Sequence, residues 1–199
     1  MVSKSTLICI PDISGFTRFM SDTDIELSAR VIPSLLNEII YANEINLKVS
    51  EIEGDAVLFF RKGQLPPFVD LIDQCKTFFS QFYNQLDVLT KKYSEEKGID
   101  NIPKLGLKII LHYGENVESV QIGNRIKLMG EDVIIAHRLL KNDIKEDEYL
   151  LISEDLLNQY EDSTIERNFD WGEFQDNEQV YKHIGEINYS YIKMYKLLD

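Results

Sequence analysis

Ile10-Pro11-Asp12-Ile13-Ser14-Gly15-Phe16-Thr17 decides the reading of this chain, together with a second stretch, Glu51-Ile52-Glu53-Gly54-Asp55-Ala56. Thr6 to Pro11 is a short apolar run that stops at Pro and Asp, so it reads as a buried strand with Asp12 at its C-terminal end. A helix follows. From Asp22 to Asn43 the residues Ile25, Ala29, Ile32, Leu35, Leu36, Ile39 and Ile40 recur at helical spacing, and Ser21 or Asp22 suits the N-cap. Ile45–Ile52 and Ala56–Phe60 are strand-like runs separated by Glu53-Gly54-Asp55, which predicts a β-hairpin with Gly54 at its tight turn. In a split βαβ arrangement the first strand runs antiparallel to the third, which sets Asp12 beside Asp55.

Two carboxylates brought together at strand ends are costly to keep ionised unless a cation sits between them. A lone Asp at a strand end is an ordinary turn or cap residue. Two of them converging point to a metal site, and Mg2+ suits it because that ion takes one or two carboxylates and completes its shell with water and phosphate oxygens.

The rest of the chain continues the alternation. Pro66-Pro67 opens a helix whose apolar stripe is Leu71, Ile72, Cys75, Phe78, Phe79, Phe82, Leu86 and Leu89, ending at Lys91-Lys92 with Gly98 beyond. Leu105–Tyr113 reads as a fourth strand, and Val117–Ile122 is expected to return beside it. A helix begins at Gly130-Glu131-Asp132, then a strand at Tyr149–Ser153 and a short helix near Leu156. Val180–Ile184 and Ser190–Leu197 are expected to close the chain as a hairpin after a loop-rich stretch, Tyr160–Gln179. This order predicts an α/β (α+β) domain: a ferredoxin-like βαββαβ core over about residues 5–142, helices on one face, and extra C-terminal αβ elements over 143–199.

At 199 residues the chain is long enough for one domain with a full core. Its net charge of −13 argues against a nucleic-acid or anionic-membrane surface. No stretch reaches the roughly 20 apolar residues of a membrane helix, and Met-Val-Ser-Lys-Ser carries no leader pattern, so a cytoplasmic location is expected. Between Asp143 and Glu178 there are 13 acidic residues against two basic ones, Lys145 and Arg167. That segment reads either as a solvated face or as a surface for a basic protein partner. Cys9 and Cys75 fall on apolar faces without metal or redox spacing, and read as buried thiols.

With these elements in place, the chain resembles the class III adenylate/guanylate cyclase catalytic domain, and more narrowly an uncharacterised bacterial branch of cyclase-like proteins. Asp12-Ile13-Ser14-Gly15-Phe16-Thr17 looks like that family's first metal-binding block and Gly54-Asp55-Ala56 like the second. Gly130-Glu131-Asp132-Val133-Ile134-Ile135-Ala136-His137-Arg138 looks like its helix of transition-state residues, and Leu111-His112-Tyr113-Gly114 sits where the family has a strand-end His and Gly.

The resemblance implies two Mg2+ or Mn2+ ions on Asp12 and Asp55, with the carbonyl of Ile13 as a further ligand. It implies a purine nucleoside triphosphate whose phosphates meet the backbone at Ile13, Gly15, Phe16 and Thr17, and attack of the ribose 3′-hydroxyl on the α-phosphate with loss of pyrophosphate. It also implies a head-to-tail homodimer with the site shared between chains. Arg138 is retained and would stabilise phosphoryl charge. Glu51 and Lys127 fall at the base-reading positions: they either read guanine or adenine, both of which fit by hydrogen-bond inventory, or pair with each other across the dimer. Ile134 falls where active members carry an Asn that orients the ribose, which predicts a slow enzyme. His137 replaces a small residue and reads as packed or as a partial substitute. For the family's triphosphate-binding Lys, only Lys182 and Lys193 are candidates, by location. The resemblance thus leaves open a nucleotidyl cyclase, or a catalytically degenerate dimeric domain that binds nucleotide or protein. Phosphoester hydrolysis at the same metals is a weaker alternative, because no base to orient water is evident.

Overall fold

A computed structural model of the chain describes residues 5–197. Among the described residues, nine strands and six α-helices follow one another. Strand β1 (Thr6–Ser14) is followed by α1 (Phe16–Asp22) and α2 (Ile25–Tyr41), the hairpin β2 (Lys48–Glu53) and β3 (Ala56–Lys62), and the long α3 (Phe68–Lys92). Next come β4 (Gly106–Gly114), β5 (Glu118–Ile122), β6 (Arg125–Met129), α4 (Glu131–Leu139), β7 (Tyr149–Ser153), α5 (Glu154–Leu157), α6 (Asp162–Arg167), β8 (Gln175–Tyr181) and β9 (Gly185–Lys193).

Seven strands form one sheet in the order β2-β3-β1-β4-β7-β9-β8. Its first four members carry the ferredoxin-like order, with β1 antiparallel to both β3 and β4, and β7 then adds parallel to β4. The alternation of side chains along the strands divides the core in two. Leu7, Cys9, Val57, Phe59, Leu107, Ile109 and Leu111 face α2 and α3. The aromatic stripe of α3 is buried there, with Phe78 stacked on Phe59 at 5.4 Å between ring centroids. The alternate residues Ile8, Ile10, Leu58 and Ile110 face α4 through Val133, Ala136 and Leu139. The expected placement of all helices on one face is therefore corrected: α4 covers the opposite face, because its single apolar stripe has to meet the second set of strand residues.

Other departures have local causes. The helix expected from Asp22 begins at Ile25 with Asp24 at its N-cap, because Ser21 and Asp22 belong to the separate helix α1 and the backbone breaks between the two at the extended Thr23. Asn101 holds the break by donating to the Asp22 carbonyl (3.1 Å) and the Thr23 hydroxyl (3.3 Å). Strand β2 begins at Lys48 rather than Ile45, because buried Gln74 captures the preceding loop, accepting from the backbone N–H of Glu44 and Ile45 and donating to the Ala42 carbonyl. Val117–Ile122 does not return beside the fourth strand. Its β5 pairs with β6, which the sequence reading lacked, as a separate two-stranded sheet. The closing hairpin exists, but its turn falls where the first strand was expected, with His183 in a left-handed conformation (φ 72°). Strand β8 is mostly polar because it is an exposed sheet edge, so apolar content drew the expected strand toward the turn. No helix among the described residues is long and apolar enough to cross a membrane.

Candidate functional site

The end of β1 and the start of β3 meet as the antiparallel register requires. Asp12 pairs with Ala56, and the Ile13 N–H donates to the Asp55 carbonyl at 2.9 Å. Both carboxylates open into a cleft of about 800 Å³, walled by the Ile13–Arg18 backbone turn, Glu53, Lys108, His137 and Lys141. Gly15 makes the turn possible. Its φ is +80°, and a Cβ there would come 3.0 Å from the Lys104 carbonyl oxygen, so glycine meets both the backbone and the packing requirement. The Ile13 side chain is buried in the core, whereas Gly15 and Thr17 are exposed at the cleft.

Electrostatics set this cleft apart. Burial pushes the Asp12 carboxyl up to about 6, with Lys108 opposing the shift and Asp55 adding to it. Burial raises Asp55 as well. Lys108 lies on β4 opposite Asp12 in register, and its Nζ is 3.5 Å from Asp12 Oδ1. Two partly desolvated carboxylates offering only oxygen donors suit a hard divalent cation such as Mg2+ or Mn2+.

Helix α4 splits its residues between two directions. His137, with Lys141 in the turn just past the helix end, lines the cleft, while Ile134 and Arg138 point outward and are exposed. Arg138 is thus not brought to its own chain's aspartates, and it lies close enough to Tyr181 to affect that hydroxyl electrostatically. Glu51 and Lys127 meet within one chain, Nζ to Oε2 at 2.6 Å, beside a pocket of about 550 Å³. Of the sequence alternatives, the structure shows Glu51 and Lys127 paired with each other, and it makes that pair within one chain, between β2 and β6. His137 is not packed into the core: it is half-buried, with Nδ1 3.5 Å from Glu53 Oε2. Lys182 is exposed in the β8–β9 turn and Lys193 pairs with Glu146, and neither lines the cleft.

Sequence reasoning missed Lys108 and Lys141. The signals were available: Lys108 interrupts the apolar run of β4 on the same face as Ile110, and Lys141 follows His137 by one helical turn.

A buried Ser-His-Asp set lies behind α4. His112 Nδ1 is 2.9 Å from Ser153 Oγ and its Nε2 is 3.4 Å from Asp132 Oδ1, while Asp132 Oδ2 accepts from the Asn116 N–H at 2.6 Å. His112 and Ser153 are fully buried, so this set ties β4, β7 and α4 together and offers no nucleophile to a substrate.

Comparison with known proteins places the chain. The profile of a family described as "Protein of unknown function (DUF2652)" matches residues 32–149, more than half of the sequence. The chain belongs to this family. A curated relative of this DUF2652 protein is "Uncharacterized protein Rv2561/Rv2562" of Mycobacterium tuberculosis, 28% identical over 121 residues. That alignment covers 60% of this chain and 56% of the relative, so the chain matches little more than half of the relative's length.

The fold of the DUF2652 protein is that of the class III adenylyl and guanylyl cyclase catalytic domains. It matches the guanylyl cyclase Cya2 with a TM-score of 0.67 at 15% identity, over 94% of this chain and 91% of that one. It matches the adenylyl cyclase CyaB from P. aeruginosa with a TM-score of 0.65 at 15% identity, over 96% and 94%. A third similar structure is the guanylate cyclase domain of RhGC from Catenaria anguillulae in complex with GTP, with a TM-score of 0.61 at 17% identity, over 96% and 97%.

Proposed function

We propose that this chain binds a purine nucleoside triphosphate with two divalent metal ions, and that it forms a cyclic mononucleotide and pyrophosphate slowly. The observation that carries the reading is the convergence of Asp12 and Asp55 in one cleft, both with burial-raised pKa values and Lys108 beside them. The fold shared with adenylyl and guanylyl cyclase domains supports it, including the one whose structure contains GTP.

When bound, the ions supply charge neutralisation for the triphosphate and lower the pKa of the ribose 3′-hydroxyl. Asp12 and Asp55 act as their carboxylate ligands. Lys108 steadies Asp12 and adds positive charge to the cleft wall, where phosphate oxygens would lie. The site is completed by a second copy of the chain arranged head to tail. Arg138, exposed on the outward face of α4, then reaches the partner's cleft and stabilises the charge on the transferring phosphoryl group. Glu51 accepts from and Lys127 donates to the purine edge, but only after the base displaces the ion pair they form with each other.

That ion pair, with Ile134 on the outward face of α4, favours a second reading: a dimeric domain that binds metal and nucleotide, or a protein partner, without turnover. The acidic 143–178 segment would suit a basic partner.

Isothermal titration with Mg2+ or Mn2+ and non-hydrolysable ATP and GTP analogues tests the binding step. Metal-dependent binding is expected in the native protein and absent from an Asp12→Ala, Asp55→Ala double variant. Binding to neither analogue would reject the nucleotide reading and turn the search to protein partners. Turnover is tested by Ile134→Asn. Restoring one preorganised polar contact is expected to raise cyclisation by about 10²-fold, and an unchanged rate would favour the binding-only reading.

A further inference from the structure

Beyond the aspartate pair, one group among the described residues combines carboxylates with imidazole at metal-ligand spacing: Glu51, Glu53 and His137. Glu51 and Glu53 are two apart on β2, so the strand's period sends both side chains to one face. His137 comes to them from α4, which packs across that face of the sheet. One ligand atom from each residue lies within 4.8 Å of the others.

The Glu53–His137 approach is informative in itself. Its 3.5 Å separation is too long for a good hydrogen bond. It does match the donor-to-donor distance across a tetrahedral ion with bonds of about 2.0–2.2 Å, which is roughly 3.4 Å. Among these three donors, the imidazole also sets the preference. Mg2+ favours oxygen ligands, whereas imidazole with carboxylates suits Zn2+ and similar borderline ions.

We propose that Glu51, Glu53 and His137 form a binding site for a borderline divalent ion of the zinc class, separate from the Asp12–Asp55 pair. Three protein donors leave a fourth position for water or a ligand oxygen. Glu53 and His137 also line the aspartate cleft, so the ion would join α4 to the β2 edge at the cleft wall. Lys127 is the built-in competitor. Its ammonium holds Glu51 Oε2, and a second cation on that carboxylate would be repelled by it. The proposal does not rest on nucleotide binding, although the ion would share Glu51 with the proposed base-reading pair.

The test uses untagged, metal-free full-length protein titrated with Zn2+ by calorimetry, with bound metal measured after gel filtration. One ion per chain is expected, and it should persist in an Asp12→Asn, Asp55→Asn variant and in His183→Ala. His137→Ala and Glu53→Gln, changes at side chains outside the packed core, should each weaken binding by at least about tenfold. Lys127→Met should tighten it. Co2+ in place of Zn2+ should give the visible absorption of a low-symmetry site, lost in His137→Ala. Unchanged Zn2+ affinity in both His137→Ala and Glu53→Gln overturns the proposal, as does loss of Zn2+ in the double aspartate variant. Either result would leave the Mg2+-dependent nucleotide titration unaffected, so the two readings fail separately.

Discussion

Asp12→Asn is expected to stabilise the metal-free protein at pH 8 and to leave its stability nearly unchanged at pH 4. The reason is the sign of the Asp12 shift. Its folded-state pKa, about 6, lies above the ordinary 3.8, so the native state holds this proton more tightly than the unfolded chain does. The corresponding stability is fully present below pH about 4 and is lost as pH rises through about 6. Above that, ionised Asp12 costs the fold on the order of 2–3 kcal/mol, from burial first and from Asp55 in addition, partly relieved by Lys108. Asparagine keeps the shape and removes the charge. At roughly 2–4 °C per kcal/mol for a chain of this size, melting at pH 8 without metal should rise by several degrees. Millimolar Mn2+ should stabilise the native protein at pH 8 and not the variant. Identical melting curves for the two proteins from pH 4 to 8 would mean that Asp12 is not held in the environment described.

Gly130→Ala is expected to be the most destabilising of these single changes. Gly130 joins β6 to α4 with φ of +140°, and a Cβ there would lie 1.8 Å from the carbonyl oxygen of Asn116. Backbone cannot swing aside as a flexible side chain can. The cost combines a strained φ with a forced separation of two chain segments, together about 3–5 kcal/mol. The displacement should also be felt in the neighbouring latch, since the Asn116 N–H binds Asp132, which in turn faces His112. A fall of roughly 10 °C in melting temperature is expected, with faster amide exchange at Asn116 and along α4. A variant that melts within a degree or two of the native protein would show that the β6–α4 junction is looser than this geometry requires.

The parts of the molecule that could be read from the sequence are those fixed by strand parity. Asp12 and Asp55 meet because a β-hairpin after a helix leaves one antiparallel pairing for β1, and Gly54 marks the turn that sets the register. The aromatic stripe of α3 was legible for the same kind of reason, since its spacing admits one buried face. What escaped depends on contacts between segments distant in sequence. The break at Thr23 is held by Asn101, and the start of β2 is set by Gln74. The second core face was missed because α4 presents a short apolar stripe whose destination no local pattern specifies. At the site, Glu51 and Lys127 were found as positions but not as an intrachain pair, because that contact requires the β5–β6 hairpin to lie against β2. Lys108 and Lys141 look like ordinary surface lysines until strand and helix phase are placed together.

The large sheet ends at β2 on one side and β8 on the other. Edge strands carry unpaired backbone groups, and two copies can join through them into extended assemblies. Here β2 is bulged between Val49 and Glu51, and β8 carries Asp176 and Glu178 within an acidic stretch. A second copy approaching either border would meet an interrupted ladder or like charges. The acidity that argues against a nucleic-acid surface also sets like charges along the β8 border, which disfavours stacking of copies edge to edge and growth into fibres.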